Sequence, residues 1–318
     1  MRRVLILGSK GTLGAQLMKL YPEAIGWDRE DIDVLDDPSL RAKIGSLGFT
    51  PDAVVNCVAF NDVDGAEDHP DRAFALNADF VGMLAEHAKD MRVPLVHYST
   101  NYVFDGVQGE YAEADAPAPL SVYGRSKLRG EQLASASGAW CYVVRTAVIF
   151  GPKGASDLSK KSFVDIMLDL SAKRDTLQVV SDEINSLTYA PDLAAGTNAL
   201  LGALPPPGIY HLANSGGASW FDFAREIFRI AGKNVTVLPV PSSHFPRKAA
   251  RPPRAILLNT KLPSPRPWQA ALAEFLGAAA PTPRFLPRGV GAGHARPSAL
   301  RPHTGQRDTR NECLDLLE

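Results

Sequence analysis

Through the first 150 residues, apolar and polar positions fall into two alternating rhythms. Short runs at 4–7, 24–27, 53–58, 95–98 and 141–145 are apolar on both faces and rich in β-branched residues. That is the pattern of parallel strands covered by helices on either side. Longer amphipathic stretches at 11–20, 38–47, 70–90 and 121–136 lie between them and predict helices; in the third, Phe74, Leu76, Phe80, Met83 and Leu84 recur at near-helical spacing. Strand and helix in alternation predict βαβ units and an α/β fold, a Rossmann-type doubly wound parallel sheet.

Beyond residue 150 the rhythm loosens. Helices are predicted at 162–172, at 190–204 before Pro205-Pro206-Pro207, at 219–231 with Ser219 as N-cap, and at 268–276. Strands are predicted at 177–180, 208–213 and 235–240. The expected organisation is a first domain over 1–150, continued by 177–213, and a smaller C-terminal substrate-binding unit from 151–176 and 214–276. The stretch 277–318 carries one aromatic residue, Phe285, among Ala, Pro, Arg and Gly. It has too little apolar surface to offset its ordering entropy, so a disordered tail is expected.

Composition narrows the class. The 34 basic and 35 acidic residues leave a formal charge of -1, so no global field recruits nucleic acid or an anionic membrane. Cys57, Cys141 and Cys313 are odd in number and far apart, which fits neither a disulfide framework nor a paired zinc site and favours a reducing compartment. The run Val4 to Leu7 behind Arg2 and Arg3 is too short for a signal-peptide core, and no apolar stretch approaches the roughly 20 residues of a membrane span. A cytoplasmic protein is expected.

Three motifs carry chemistry. Gly8-Ser9-Lys10-Gly11-Thr12-Leu13-Gly14 follows the first predicted strand and opens the first helix. Glycines there permit a tight turn and close approach of a pyrophosphate to backbone N–H groups at a helix N-terminus. Asp28 ends the second strand, where a carboxylate can accept from an adenosine ribose, while Arg29 beside it can hold a 2′-phosphate; NADPH and NADH both remain open as cofactor. Tyr123 and Lys127 share a helix face four residues apart, and an ammonium beside a phenol favours the phenolate. Ser99 and Thr100 follow the 95–98 strand at the carboxyl edge of the sheet, so that a hydroxyl and a tyrosine bracket one carbonyl group.

The set resembles the extended short-chain dehydrogenases/reductases and, more narrowly, the dTDP-4-dehydrorhamnose reductase family. The matching stretches are Val96-His-Tyr-Ser-Thr100-Asn101-Tyr102-Val-Phe104-Asp105-Gly106 and Tyr123-Gly-Arg-Ser-Lys127-Leu-Arg-Gly-Glu131. Asn56 to Asp64 with Ala66-Glu67, Arg145-Thr146, Phe150-Gly151, Gly208 to Ala213, Ser219-Trp220, Arg251-Pro252 and Asn259 to Leu262 extend it to about residue 276. The resemblance implies an NAD(P)H-dependent reduction of the C4 ketone of a nucleotide-linked, dTDP-type deoxysugar. Tyr123 would donate the proton, Thr100 would polarise the carbonyl, and Lys127 would hold the nicotinamide ribose. Gly11, Thr12 and Leu13, within the loop from Gly8 through Lys10 to Gly14, would meet the pyrophosphate. Asp33 and Val34 would meet the adenine, with Asp28 at the ribose, and Ala59, Phe60 and Asn61 the middle of the cofactor. Thr100, Asn101, Tyr102, Phe104 and Val148 would contact the sugar nucleotide. The partner implied is the nucleotide sugar alone, without nucleic acid or membrane, and a homodimer is compatible with it.

Departures from the family pattern cluster at the sugar side. Asn101 replaces an aspartate, Val148 stands where a tryptophan lines the pocket, and Asp182-Glu-Ile-Asn-Ser-Leu-Thr188 replaces Asp-Gln-x-Gly-x-Pro-Thr. Gln16 and Pro191 occupy positions where acidic ligands would hold magnesium, so no metal is expected. The alternatives are a non-catalytic NAD(P)-binding regulatory subunit, against which the Thr100, Tyr123 and Lys127 set argues, and a nucleotide-sugar epimerase. Among the remaining groups, His97 and His211 read as core residues, Asp62, Asp64, Glu67 and Asp68 as a solvated loop, Trp220 and Trp268 as helix packing, and Cys57 as an inert thiol.

Overall fold

A computed structural model of the chain describes residues 2–156, 161–263 and 265–278. The tail expected over 277–318 therefore lies outside the described residues beyond Ala278, as does Cys313. The elements run β1 (Val4–Leu7), α1 (Thr12–Leu20), β2 (Ile25–Trp27), α2 (Asp37–Gly45), β3 (Ala53–Asn56), α3 (Gly65–Asp68), α4 (Pro70–Phe74), α5 (Phe80–Met91), β4 (Leu95–Thr100), β5 (Gly109–Tyr111), α6 (Val122–Ala136), β6 (Cys141–Thr146) and β7 (Ile149–Phe150). They continue with α7 (Phe163–Ser171), β8 (Thr176–Val180), β9 (Ile184–Ser186), β10 (Thr188–Tyr189), α8 (Ala190–Ala203), β11 (Gly208–His211), β12 (Gly217–Ser219), α9 (Trp220–Ala231), β13 (Thr236–Val240), β14 (Arg254–Leu257) and α10 (Trp268–Phe275).

The all-parallel large sheet has the order β2-β1-β3-β4-β6-β11. Chain direction across the sheet reverses between β1 and β3, and in open α/β sheets ligands bind in the crevice above such a switch point. Alternate residues of each strand feed two cores. Val4, Ile6, Val55, Val96 and Val144 pack under α1 and α8, whereas Leu5, Leu7, Val54, Leu95 and Val143 meet α5. Strands buried on both faces explain why their sequence reads as continuous apolar runs.

A third core gathers Phe150, Phe163, Met167, Phe223, Ile227 and Trp268 from β7, α7, α9 and α10. Trp268 packs edge-on against Phe223, and Trp220 lies on Phe163, so both tryptophans serve helix packing. The smaller unit claims more chain than the pattern predicts. β8 pairs with β13, and β9 joins β12, β14 and β5 in a separate sheet; only α8 and β11 return to the large layer. The expected return over 177–213 is therefore corrected to 190–211. An apolar alternation marks a strand without saying which sheet it enters.

The helix predicted at 70–90 is also interrupted. Ala75–Asp79 form a π-turn between α4 and α5, which turns Asn77 and Ala78 together into the core. No helix among the described residues is long and apolar enough to cross a membrane.

Candidate active site

The carboxyl edge of β1, β3 and β4 collects the candidate residues. Gly8 closes the turn after β1 with φ +77°, and Gly11 is the N-cap of α1 without a side-chain cap, at a helix start of the kind that suits an anion; Gly154 packs on this loop, and the Ser156 N–H donates to the Lys10 carbonyl at 3.1 Å. Gly14 packs against the loop it follows: a Cβ there would lie 2.1 Å from the Gly8 carbonyl oxygen. Leu13 faces the core, so it offers this edge its backbone alone. This donor set fits a dinucleotide pyrophosphate. Gly14→Ala is expected to cost about 1–3 kcal/mol through overpacking and to weaken NADPH binding; a wild-type denaturation midpoint with unchanged NADPH titration contradicts this packing.

Asp28 reaches back to the glycine loop, its Oδ2 accepting from the Lys10 N–H at 3.0 Å. Asp33 is exposed and its Oδ1 accepts from the Leu35 N–H; Val34 beside it is half-buried. Ala59, Phe60 and Asn61 form the loop that follows β3. Asn77 pins that loop, accepting from the Phe60 N–H at 2.8 Å and donating to the Phe60 carbonyl and to Ser126 Oγ on α6, each at 3.0 Å. Periodicity overlooks Asn77; its one signal is a polar residue between the apolar Leu76 and Ala78.

Thr100 ends β4, and its hydroxyl accepts from the Tyr102 N–H at 3.1 Å, capping the turn that follows. Tyr123, in the first turn of α6, lies beside Thr100 and meets the Tyr102 ring edge-on at 6.0 Å. That approach needs Gly124, where a Cβ would stand 2.3 Å from the Tyr102 carbonyl oxygen. Lys127 is buried one turn on, and its Nζ donates to the Tyr98 carbonyl at 2.6 Å. The structure thus brings Thr100, Tyr123 and Lys127 to one strand end.

The electrostatics depart from expectation. Burial pushes the Tyr123 phenol up to about 12, with the Thr100 hydrogen bond acting against it; an ammonium-stabilised phenolate is not what this arrangement favours. Desolvation dominates at Tyr123, and the Lys127 ammonium is turned to the Tyr98 carbonyl instead of the phenol. Burial also lowers Lys127 to about 8, while Glu131 raises it.

Two of the expected substrate contacts are buried in the fold. Phe104 is fully buried, stacked on Tyr111 at 4.2 Å and lying under the Arg145 guanidinium, so it belongs to the core between the units. Asn101 is buried as well: its Nδ2 donates to Asn185 Oδ1 at 2.8 Å and to the Ala255 carbonyl at 3.0 Å. Asn101 and Asn185, both departures from the family pattern, are therefore partners. Tyr102 remains half-buried beside Tyr123 and near the Arg251 guanidinium. Val148 is half-buried and holds a left-handed φ of 38°, a costly conformation for a β-branched residue, with its carbonyl accepting from Thr188 N–H.

The acidic stretch is a joint rather than a solvated loop. Asp64 pairs with Arg251, Asp68 with Lys248, and Glu67 accepts from the Val122 N–H at the start of α6. These contacts tie the strap before β14 to the helix that carries Tyr123. His97 and His211 are buried as expected, yet the Nε2 of each lacks a partner among the described residues; Cys57 sits just past β3, its thiol pushed up by burial.

Residues 1–280 match the RmlD substrate binding domain family. A dTDP-4-dehydrorhamnose reductase of Mycolicibacterium smegmatis is 34% identical over 289 residues, covering 87% of this chain and 86% of the relative. A probable dTDP-4,6-dihydroxy-2-methyloxan-3-one 4-ketoreductase of Streptomyces antibioticus is 36% identical over 286 residues, covering 86% of this chain and 94% of the relative. Among solved structures, the dTDP-4-dehydrorhamnose reductase of Bacillus anthracis in complex with NADP superposes with a TM-score of 0.81 at 33% identity, covering 86% of this chain and 98% of that one.

Proposed function

This chain belongs to the RmlD substrate binding domain family, and from that premise we infer that it is an NAD(P)H-dependent oxidoreductase reducing the C4 ketone of a dTDP-linked deoxysugar. The observation that carries the reading is the Tyr123 side chain brought beside Thr100 at the carboxyl edge of β4, with Lys127 one helical turn away. Relatives named as reductases and ketoreductases of dTDP sugars, and a solved relative holding NADP, support it.

The dinucleotide supplies the hydride when bound. The chain's own residues do the rest. The loop from Gly8 to Gly14 receives the pyrophosphate, Asp33 and Val34 flank the adenine, and the loop from Ala59 to Asn61, braced by Asn77, supports the middle of the cofactor. Thr100 and Tyr123 donate hydrogen bonds to the sugar carbonyl oxygen, and Tyr123 passes its proton to that oxygen as negative charge develops there. A phenol that stays protonated suits a proton donor. Lys127 holds the nicotinamide ribose while anchored to Tyr98. Tyr102 and Val148 line the sugar side, on the smaller unit's border.

Lys127 gives this scheme a pH signature. Below about 8 it is an ammonium with donors for both Tyr98 and a ribose hydroxyl; above about 8 it loses a proton and its charge. Tyr123, held near about 12, keeps its proton across that interval. The expected kcat/KM therefore falls as pH rises through about 8. A profile level to about pH 10 contradicts the role of Lys127.

A further inference from the structure

The short helix α3 meets both units of the molecule. It lies just beyond the loop from Ala59 to Asn61, and the Asp62 side chain closes the turn into it by accepting from the Gly65 N–H at 2.7 Å. Two carboxylates on this turn, Asp64 and Glu67, face different partners. Glu67 Oε1 accepts at 2.8 Å from the N–H of Val122, the first residue of α6, with Tyr123 next. That N–H is one of the donors a helix start leaves unpaired, and the helix dipole also favours a carboxylate there. Ser121, the N-cap, serves the Gly124 N–H at 3.1 Å and leaves Val122 to Glu67. Asp64 grips the strap before β14. Its Oδ1 and Oδ2 each lie 3.1 Å from an Arg251 guanidinium nitrogen, and Oδ1 also accepts from the Ala249 N–H at 2.6 Å. The Asp64 and Arg251 side chains are 14% and 8% exposed, so water screens them far less than a surface pair. The far end of the strap belongs to the smaller unit, where Arg247 pairs with Glu183 and the Ser242 N–H donates to Asp182 at 2.8 Å.

We propose that Glu67 and Asp64 are positioning residues for the reduction, Glu67 fixing the start of α6 that carries Tyr123 and Asp64 fixing the strap of the smaller unit beside Tyr102. This deepens the reading above and rests on it for the role of Tyr123 as acid. Both carboxylates act through other groups: Glu67 through the backbone next to Tyr123, Asp64 through Arg251, whose guanidinium stands near Tyr102. One turn of α3 thereby sets the spacing between the acid, the loop after β3 and the sugar side. An acid works only within hydrogen-bond reach of the oxygen it serves, and a displacement of about 1 Å costs roughly a hundredfold in rate. The neighbouring Asp68–Lys248 pair is exposed and holds weakly, so the two inner carboxylates bear the load.

The test is reduction of a dTDP-4-keto-6-deoxyhexose by the full chain, with rates taken per NADPH-binding site so that unfolded protein does not count. Glu67→Ala is expected to lower kcat by about 10–100-fold and to change KM for the sugar nucleotide by less than about threefold. Glu67→Gln, whose amide oxygen still accepts from Val122, recovers most of the rate. Glu67→Ala adds little to the loss in a Tyr123→Phe background, because a misplaced acid costs nothing once the acid is gone. Asp64→Asn and Arg251→Lys break the ion pair from either side, and each raises KM for the sugar nucleotide by about tenfold while kcat changes less. An unchanged kcat in Glu67→Ala, a Glu67→Gln enzyme as slow as Glu67→Ala, or losses that multiply in the double variant overturn the role of Glu67. An unchanged KM in Asp64→Asn and Arg251→Lys overturns that of Asp64. A Tyr123→Phe enzyme as fast as the wild type, or a wild type that reduces no such sugar, overturns the functional reading itself, and the positioning roles with it.

Discussion

Tyr123→Phe lowers turnover by roughly 10²–10⁴-fold and leaves dinucleotide binding intact. The substitution removes one hydroxyl and keeps the ring, so its edge-on contact with Tyr102 and the close approach of α6 at Gly124 survive. What disappears is the hydroxyl that lies beside Thr100 and gives up a proton. The loss amounts to about 3–5 kcal/mol of barrier and falls on kcat, because proton transfer occurs at the transition state. Stopped-flow single turnover with NADPH, set beside NADPH titration, separates the two effects. Turnover within a few-fold of wild type would remove Tyr123 from the role of acid.

The largest effect on stability is expected at Glu131 and Arg145. Arg145 on β6 stands opposite Ser99 in the register of β4, and Glu131 lies one turn beyond Lys127 on α6. Their side chains are only 3% and 2% exposed, joined at 2.7 and 3.0 Å, with Ser99 donating to the same carboxylate. Arg145 also rests over the Phe104 ring, and its Nη1 has no partner among the described residues. Glu131→Ala leaves a buried guanidinium uncompensated and is expected to cost about 3–5 kcal/mol, read from the urea midpoint at neutral pH. Replacing both residues, Glu131→Leu with Arg145→Met, recovers most of the loss, since a dry pair exchanged for apolar groups of similar volume is near neutral. A single-variant loss below about 1 kcal/mol would mean that water reaches the pair. The same pair fixes α6 to β6, and Ser99 ties it to β4, so its removal also loosens the placement of Lys127 and Tyr123.

Much of this architecture is legible in the sequence for definite reasons. Strands buried on two faces leave apolar runs such as Val4–Leu7, and the glycine loop announces itself by lying between such a run and a helix. The smaller unit is harder to read because its strands are short and polar: β9 is Ile184–Ser186, and what makes it a strand is a pairing with β14 some 70 residues away. The π-turn hides within a helical period, since one inserted residue shifts the buried face without ending the apolar pattern. Residues carried over by family likeness divide by burial. Tyr102 and Val148 are half-buried, whereas Phe104 and Asn101 are buried, with stacking and amide partners inside the fold. Asn101 and Asn185 read as two separate departures along the chain and become one compensated contact in space, because a neutral amide at one position suits an amide carbonyl at the other.

The central claim is hydride delivery to a sugar ketone, and isotope transfer tests it most directly. Incubation of the chain with a dTDP-4-keto-6-deoxyhexose and NADPH deuterated at nicotinamide C4, using each face-labelled form in turn, is followed by mass and NMR analysis of the sugar. The account predicts one deuterium at C4 of the dTDP-linked product from one of the two forms, with one NADPH consumed per sugar. Binding of NADPH without its consumption against a panel of such keto-sugars, or label at any other carbon, would contradict it.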